Sequence, residues 1–375
     1  MTDPRRSEAG ARPLLEQALA AMPAPLGSTP QVDALEAELK AVYGVDHAIA
    51  VSSGTAALQT ALIASGARPG TEVLLPAFTV VMAVAAVTAT GAHPVFVDSR
   101  LGGSGGKNSG FVLDLDDAAA KFSGRTVALL PVHFGGRTGD LDALREFTHD
   151  RRIKLLEDAC QAQGSRWRGR AVGTIGDAGC FSMKDGKFVI CGEGGYVLTD
   201  DPDIAATSAA FRSHWQTGTS THPAGHHLGL NLRLAEPLAA LARHSLADLD
   251  AALRQRRDQT RLLTTLVGNL PGLEPIQAGP GEEPNEYAAL WRIGVPRPRE
   301  LCERLSEYGV VNSVGTFGLR AASAHPACRT LDPVPCPNAE QAVDELLSVP
   351  LTSALDDEHI DRLAATIRTQ VKAWR

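Results

Sequence analysis

Residues 47–78 read HAIAVSSGTAALQTALIASGARPGTEVLLPAF, a short apolar run, a Ser-Ser-Gly-Thr turn, a helical stretch and a second apolar run. HAIAV and EVLLP do not alternate polar with apolar residues, so each predicts a strand buried on both faces, as parallel strands covered by helices are. Three further runs of the same kind follow: HPVFVDS (93–99), TVALLPVHF (126–134) and IKLLEDA (153–159). Helical spacing separates them, and strand alternating with helix predicts an α/β fold with a mostly parallel sheet flanked by helices.

Upstream, VDALEAELKAVYG (32–44) predicts a helix with Val32, Leu35, Leu39 and Val42 along one stripe and Gly44 as its stop. Downstream, a helical stretch from about Asn231 leads into a region with its own α/β patterning, which ends in the helix DDEHIDRLAATIRTQVKAW (356–374). This organisation predicts a large domain over 1–250, including the N-terminal segment, and a smaller C-terminal domain over 251–375. The stretch LGGSGGKNSGF (101–111) has no period of either kind and reads as a glycine-rich surface loop.

The chain has 375 residues, with 43 acidic against 36 basic side chains for a net charge of −7. That balance argues against nucleic acid or an anionic membrane as a partner, because neither would gain from meeting this surface. The six cysteines form no CxxC pair, so a metal centre is not expected and reduced thiols in a cytoplasm are. The opening MTDPRRSEAGARP is polar, without a secretory apolar stretch, and no run approaches the ~18 apolar residues of a membrane span.

In open parallel sheets ligands bind at the carboxyl ends of the strands. The polar residues Ser52 to Thr55, Asp98, His133, Glu157 and Asp158 fall at those ends. SSGTAAL at a helix start is either an ordinary cap or a cradle for phosphate. Asp158 is either a surface acid or a partner for a protonated ring nitrogen. The stretch CFSMKDGKFVICGEGG (180–195) adds an amine, from Lys184 or Lys187. A phosphate cradle, a carboxylate and an amine are together what pyridoxal phosphate requires.

At this point the chain resembles the DegT/DnrJ/EryC1/StrS aminotransferases, from about residue 25 to 370. The resemblance is carried in order by SSGTAALQTALIASGARPGTEVLLPAFT, HPVFVDS, PVHFGGRTGDLDAL, LLEDACQAQGSRWRGRAVGTIGDAGCFSM, GKFVICGEGGYVLTDD and NLRLAE. It implies PLP fold-type I and a pyridoxal phosphate or pyridoxamine phosphate cofactor. The family's triplet before the lysine matches Phe181-Ser182-Met183, and the spacing from there to GEGG selects Lys187 as the catalytic, cofactor-bonding lysine. By the same matching Asp158 pairs with the ring nitrogen, Gln161 meets the 3′ oxygen side, and Ser182, Gly54 and Thr55 hold the phosphate. Asn231, in NLR, matches an asparagine that reaches the neighbouring subunit's cofactor, which implies a homodimer with shared active sites.

The implied reaction moves an amino group from L-glutamine or L-glutamate to a cyclic ketone. The CGEGG spacer is closer to members that act on cyclitols. The alternatives are a nucleotide-linked keto-sugar acceptor or a non-catalytic PLP-binding sensor of the same fold. Two departures stand out: Val80 occupies the place of the aromatic residue that stacks on the ring, with Phe78 or Trp215 as possible substitutes, and His325 matches only loosely a histidine-rich segment of nucleotide-sugar members. Lys184, His133, Trp167, His214, Trp215 and Arg320 are the candidates for lining the acceptor pocket, each against the alternative of a core or surface role, and the loops 101–111 and 214–230 are expected to select the acceptor.

Overall fold

The computed structural model describes residues 29–100, 112–220 and 223–374, with Pro13, Leu15, Glu16, Leu19 and Ala20. The 101–111 loop lies outside the described residues. The central sheet has seven strands in the order β1 (His47–Val51), β9 (Gly195–Thr199), β8 (Ala178–Ser182), β5 (Lys154–Asp158), β4 (Thr126–Leu129), β2 (Glu72–Pro76) and β3 (His93–Val97). β9 alone runs antiparallel to its neighbours, and the remaining pairs β8·β5, β5·β4, β4·β2 and β2·β3 are parallel.

The continuous apolar runs are explained by burial on both sides. Along β2, Val73 and Leu75 face one core with Leu58, Val84 and Ile204, while Leu74 between them faces a second core with Leu35, Ala118, Leu144 and Ala239. Successive strand side chains point to opposite faces, so both faces demand apolar residues when helices cover both. The helices Gly54–Ala64, Val81–Thr88 and Pro202–Arg212 cover the first face. Pro30–Tyr43, Leu141–Arg151 and Glu236–Ala247 cover the second.

One element of the expected pattern differs. In the helix Pro30–Tyr43, Val32, Leu35 and Leu39 are buried as expected, but Val42 is 53% exposed. The last turn instead directs Tyr43 inward, where its hydroxyl lies 2.9 Å from that of Tyr196 on β9. Gly44, left-handed at φ 68°, ends the helix there.

After the helix Leu249–Val267 the chain builds a second, antiparallel sheet of β10 (Leu273–Pro275), β12 (Ala288–Ile293) and β13 (Leu346–Pro350). The helices Pro298–Glu307 and Asp357–Ala373 accompany it. A small ribbon ties this part back, with β11 (Glu282–Glu283) pairing β6 (Arg166–Trp167), which pairs β7 (Arg170–Ala171). The segment from β11 into β12 thereby passes beside the carboxyl ends of β5 and β8. Among the described residues no helix is long and apolar enough to cross a membrane.

Candidate active site

β5 ends in two acids that the fold treats differently. Glu157 is fully buried, and its carboxylate accepts from the backbone N–H groups of Gly173, Ile175 and Gly176, each at 2.8 Å, and from His133 Nε2 at 3.0 Å. Burial alone would push this carboxyl up, but His133 and the backbone donors outweigh it and hold it below its ordinary value. Glu157 is therefore a structural hub. His133, a candidate for the acceptor pocket with a core role as the alternative, takes the core role in this hub and is 1% exposed.

Asp158 is also buried, yet among the described residues it has no ion-pair partner; its hydrogen bonds come from Cys160, whose N–H donates to Oδ1 at 3.1 Å and whose thiol also faces the carboxylate. Burial pushes its carboxyl up, and Cys160 with the nearby charges of Lys187 and His133 offsets this only in part. A buried carboxylate without a cation favours a positively charged ligand group at its side.

Gln161 follows in the same turn. Its Oε1 accepts the Gly135 N–H at 2.8 Å, which leaves its Nε2 as a donor with no partner among the described residues. A side chain so oriented suits an oxygen acceptor.

The helix Gly54–Ala64 begins beside the end of β8. A Cβ on Gly54 would come within 2.8 Å of Ser182 Cβ and 2.9 Å of Cys160 Sγ, so only glycine allows this approach. Ser53 caps the helix by accepting from Ala56 N, and the remaining first-turn N–H groups have no intrahelical acceptor. Gly54, Thr55 and Ser182 are thus brought together at a helix N-terminus, a favourable setting for an anion.

The two lysines of the 180–195 stretch are separated by a tight turn. Lys187 N–H donates to Lys184 O at 3.2 Å, and Gly186 between them has φ 87°, which a residue with a Cβ rarely adopts. The turn leaves Lys184 exposed and half-buries Lys187. Lys187 Nζ lies 3.4 Å from the hydroxyl of Tyr287.

Two buried amides hold this arrangement, and neither is marked in the sequence. Gln163, 1% exposed, donates to Ser182 O and accepts from the N–H groups of Phe188 and Val189, clasping both ends of the lysine segment. Asn285, fully buried, donates to the carbonyls of Gln161 and Gln163 and accepts from Tyr287 N–H, each at 2.9 Å. Apart from the Tyr287 N–H, the groups they hold lie 19 to 124 residues away in the chain, which is why no spacing reveals them.

Asn231 stands apart. It is exposed, its backbone bridges Ser213, and no side-chain hydrogen bond joins it to the other expected site residues among those described. Of the two substitutes for a ring at Val80, Phe78 is buried edge-on to Phe134, with centroids 5.1 Å apart, and Trp215 is buried among Ala210, Phe211 and His227. Of the other acceptor-pocket expectations, Trp167 is buried, while Lys184, His214 and Arg320 are exposed.

A model of the DegT/DnrJ/EryC1/StrS aminotransferase family matches residues 16–368. The 3-amino-5-hydroxybenzoate synthase of Amycolatopsis mediterranei is 36% identical over 289 residues, 75% of this chain and 72% of that protein. The dTDP-3-amino-3,4,6-trideoxy-alpha-D-glucose transaminase of Streptomyces venezuelae is 32% identical, over 90% of this chain and 86% of its own. A crystal structure of 3-amino-5-hydroxybenzoic acid synthase superposes with a TM-score of 0.83 at 30% identity, covering 97% of each chain.

Proposed function

Because the chain belongs to the DegT/DnrJ/EryC1/StrS aminotransferase family, whose members depend on pyridoxal phosphate in general, we propose that it moves an amino group from L-glutamine or L-glutamate to a cyclic ketone, a keto-cyclitol or keto-sugar. The observation that carries the cofactor assignment is Asp158, a buried carboxylate at the end of β5 that forms no ion pair among the described residues and feels the charge of Lys187 only at a distance. The relatives support the substrate class, since one is a 3-amino-5-hydroxybenzoate synthase and another an amino-sugar transaminase.

Pyridoxal phosphate, when bound, supplies a carbonyl carbon to carry the amino group and a cationic ring to draw electrons from it. Gly54, Thr55 and Ser182 would hold the phosphate at the helix N-terminus. Asp158 would keep the ring nitrogen protonated, gaining the opposite charge its buried position lacks. Gln161 would donate its unengaged Nε2–H to the 3′ oxygen. Lys187 would bond the carbonyl carbon at rest and, once displaced by the donor's amine, carry a proton on Nζ between the donor's α-carbon and the cofactor carbon that receives the amino group, and in the reverse sense for the ketone. Asn231 would complete the neighbour's phosphate site in a homodimer.

The test is a half-reaction screen. The protein carrying the aminated cofactor is titrated with keto-cyclitols and nucleotide-linked keto-sugars, and return of the aldehyde form is read by absorbance. Conversion by a cyclic ketone is expected. Failure of every cyclic ketone, with conversion by open-chain keto acids alone, would overturn the acceptor class.

A further inference from the structure

Tyr287 lies 100 residues beyond Lys187 in the chain, yet its hydroxyl is 3.4 Å from the Lys187 Nζ and its ring centroid 4.8 Å from the same atom. It comes from the C-terminal part, on the segment between β11 and β12. The chain accepts unfavourable local geometry to put it there: Glu286, the residue before it, is left-handed at φ 58°. Non-glycine residues held in that region cluster where the surroundings fix a functional geometry.

Those surroundings are specific. Asn285 holds the Tyr287 N–H at 2.9 Å while its amide nitrogen is bound to the Gln161 and Gln163 carbonyls. Arg256, 6% exposed, donates to the Tyr287 carbonyl at 3.1 Å and lays its guanidinium 4.8 Å from the ring centroid of Phe188, the residue after Lys187. Tyr287 is therefore tied both to the turn that follows Asp158 and to the lysine segment.

We propose that Tyr287 is a positioning residue for Lys187, holding Nζ toward the cofactor site whenever that amine is not bonded to the cofactor. This rests on the reading of Lys187 as the cofactor-bonding lysine. A phenol hydroxyl accepts from an ammonium and donates to a neutral amine, so it holds Nζ in both protonation states, and the ring adds attraction for the charged one. A long flexible side chain restricted in this way meets an incoming carbonyl carbon in fewer wrong orientations. Lys184, exposed on the far side of the turn, has no such support among the described residues.

The experiment uses apoprotein. Pyridoxal phosphate is added by rapid mixing, the reaction is quenched with borohydride at set times, and cofactor mass on the Lys187 peptide is counted by mass spectrometry. The control is the equilibrium Kd for pyridoxamine phosphate, which has no carbonyl for the lysine to bond. Tyr287→Leu should slow capture at Lys187 about tenfold or more, and Tyr287→Phe, which keeps the ring, only a few-fold, with the pyridoxamine phosphate Kd unchanged in both. Capture in Tyr287→Leu as fast as in wild type, or a parallel loss of capture and of pyridoxamine phosphate binding, overturns the proposal. Absence of capture at Lys187 in wild type removes the functional reading itself, whereas capture indifferent to Tyr287 removes this inference alone.

Discussion

The side-chain oxygen of Gln163 accepts the backbone N–H of Phe188 at 3.0 Å, one residue after Lys187. The same oxygen takes the Val189 N–H, and the Gln163 amide nitrogen reaches back to Ser182 O, five positions before the lysine. One buried amide thus closes the segment that carries the amine into a loop of fixed shape. Gln163→Leu leaves these backbone groups buried without partners, and each such group costs about 1–3 kcal/mol. The expected result is a clear fall in the thermal midpoint, with Gln163→Glu, which keeps the acceptor, falling less. Equal midpoints for wild type and the leucine variant would show that the clasp carries no weight.

The two lysines separate cleanly by experiment. Lys187→Ala should lose both transamination and borohydride-trappable cofactor, whereas Lys184→Ala, altered at an exposed position, should keep both. Trapped cofactor on the Lys184 peptide of the Lys187→Ala protein, with turnover retained, would reverse the assignment.

Asp158 predicts opposite effects on stability and on binding. Its folded pKa is raised above the ordinary 3.8 by burial, so the penalty on folding the apoprotein grows as the pH rises from the unfolded value and is complete above the folded one. The penalty is absent below the unfolded value. Asp158→Asn removes that penalty while keeping an acceptor for the Cys160 N–H. At pH 7 the apo variant should melt higher than wild-type apoprotein, the difference closing as the pH falls through the folded pKa, and it should bind the cofactor more weakly. Calorimetry across pH and a cofactor titration read the two effects.

Glu157 has the reverse sign. Its folded pKa lies below the ordinary 4.5, so its contribution is fully present above that value and is lost as the pH falls toward the folded one. Glu157→Gln should be less stable than wild type at pH 7 and should show a flatter decline below about pH 5. Parallel acid unfolding curves for the two proteins would contradict the hub assigned to this carboxylate.

If Val80 stands where the resemblance places a ring-stacking aromatic, a bound cofactor ring would lack that neighbour, since Phe78 packs on Phe134 and Trp215 on Ala210 and Phe211. One offset stack is worth about 0.5–1.5 kcal/mol, or roughly two- to twelvefold in affinity. Val80→Phe should retain pyridoxamine phosphate more tightly during dialysis after exposure to donor, with turnover surviving in both proteins. Equal or faster loss from the variant would mean that another group covers the ring.

Asn231 can be tested by complementation. If it serves the neighbour's site, a refolded mixture of Asn231→Ala and Lys187→Ala subunits contains hybrid dimers with one intact site. The mixture should then exceed the activity of the same amount of either variant alone. A mixture no more active than the Asn231→Ala subunits it contains would place the asparagine outside any shared site.

Much of this protein is legible along the chain because its causes are local. The unbroken apolar runs of HAIAV and EVLLP announce strands covered on both faces, and the structure puts Leu74 in one core and Val73 and Leu75 in the other. Gly186, left-handed at φ 87° between the two lysines, is a turn residue that fits a tight turn in that place. The resemblance to the family's lysine block points to Lys187 over Lys184, and in the structure the turn half-buries Lys187 while exposing Lys184. Other features escaped a one-dimensional reading. Val42 matches the helical stripe but is displaced by Tyr43, because only the position of β9 decides which side chain of the last turn meets the sheet.

The alternation of helices with the five strands from His47 to Asp158, and the polar residues at those strand ends, are set by short-range periodicity, and the sequence by itself determined them; the place of β8 and β9 between β1 and β5 was decided by the tertiary structure. What surrounds the amine was decided by tertiary structure alone. His133, polar and at a strand end, belongs to the buried hub of Glu157. Tyr287, without any local motif, reaches Lys187 across 100 residues. Its place depends on Asn285 and Arg256 filling the hydrogen bonds of a buried backbone segment, and buried polar groups find partners by proximity in space, whatever their separation in the chain.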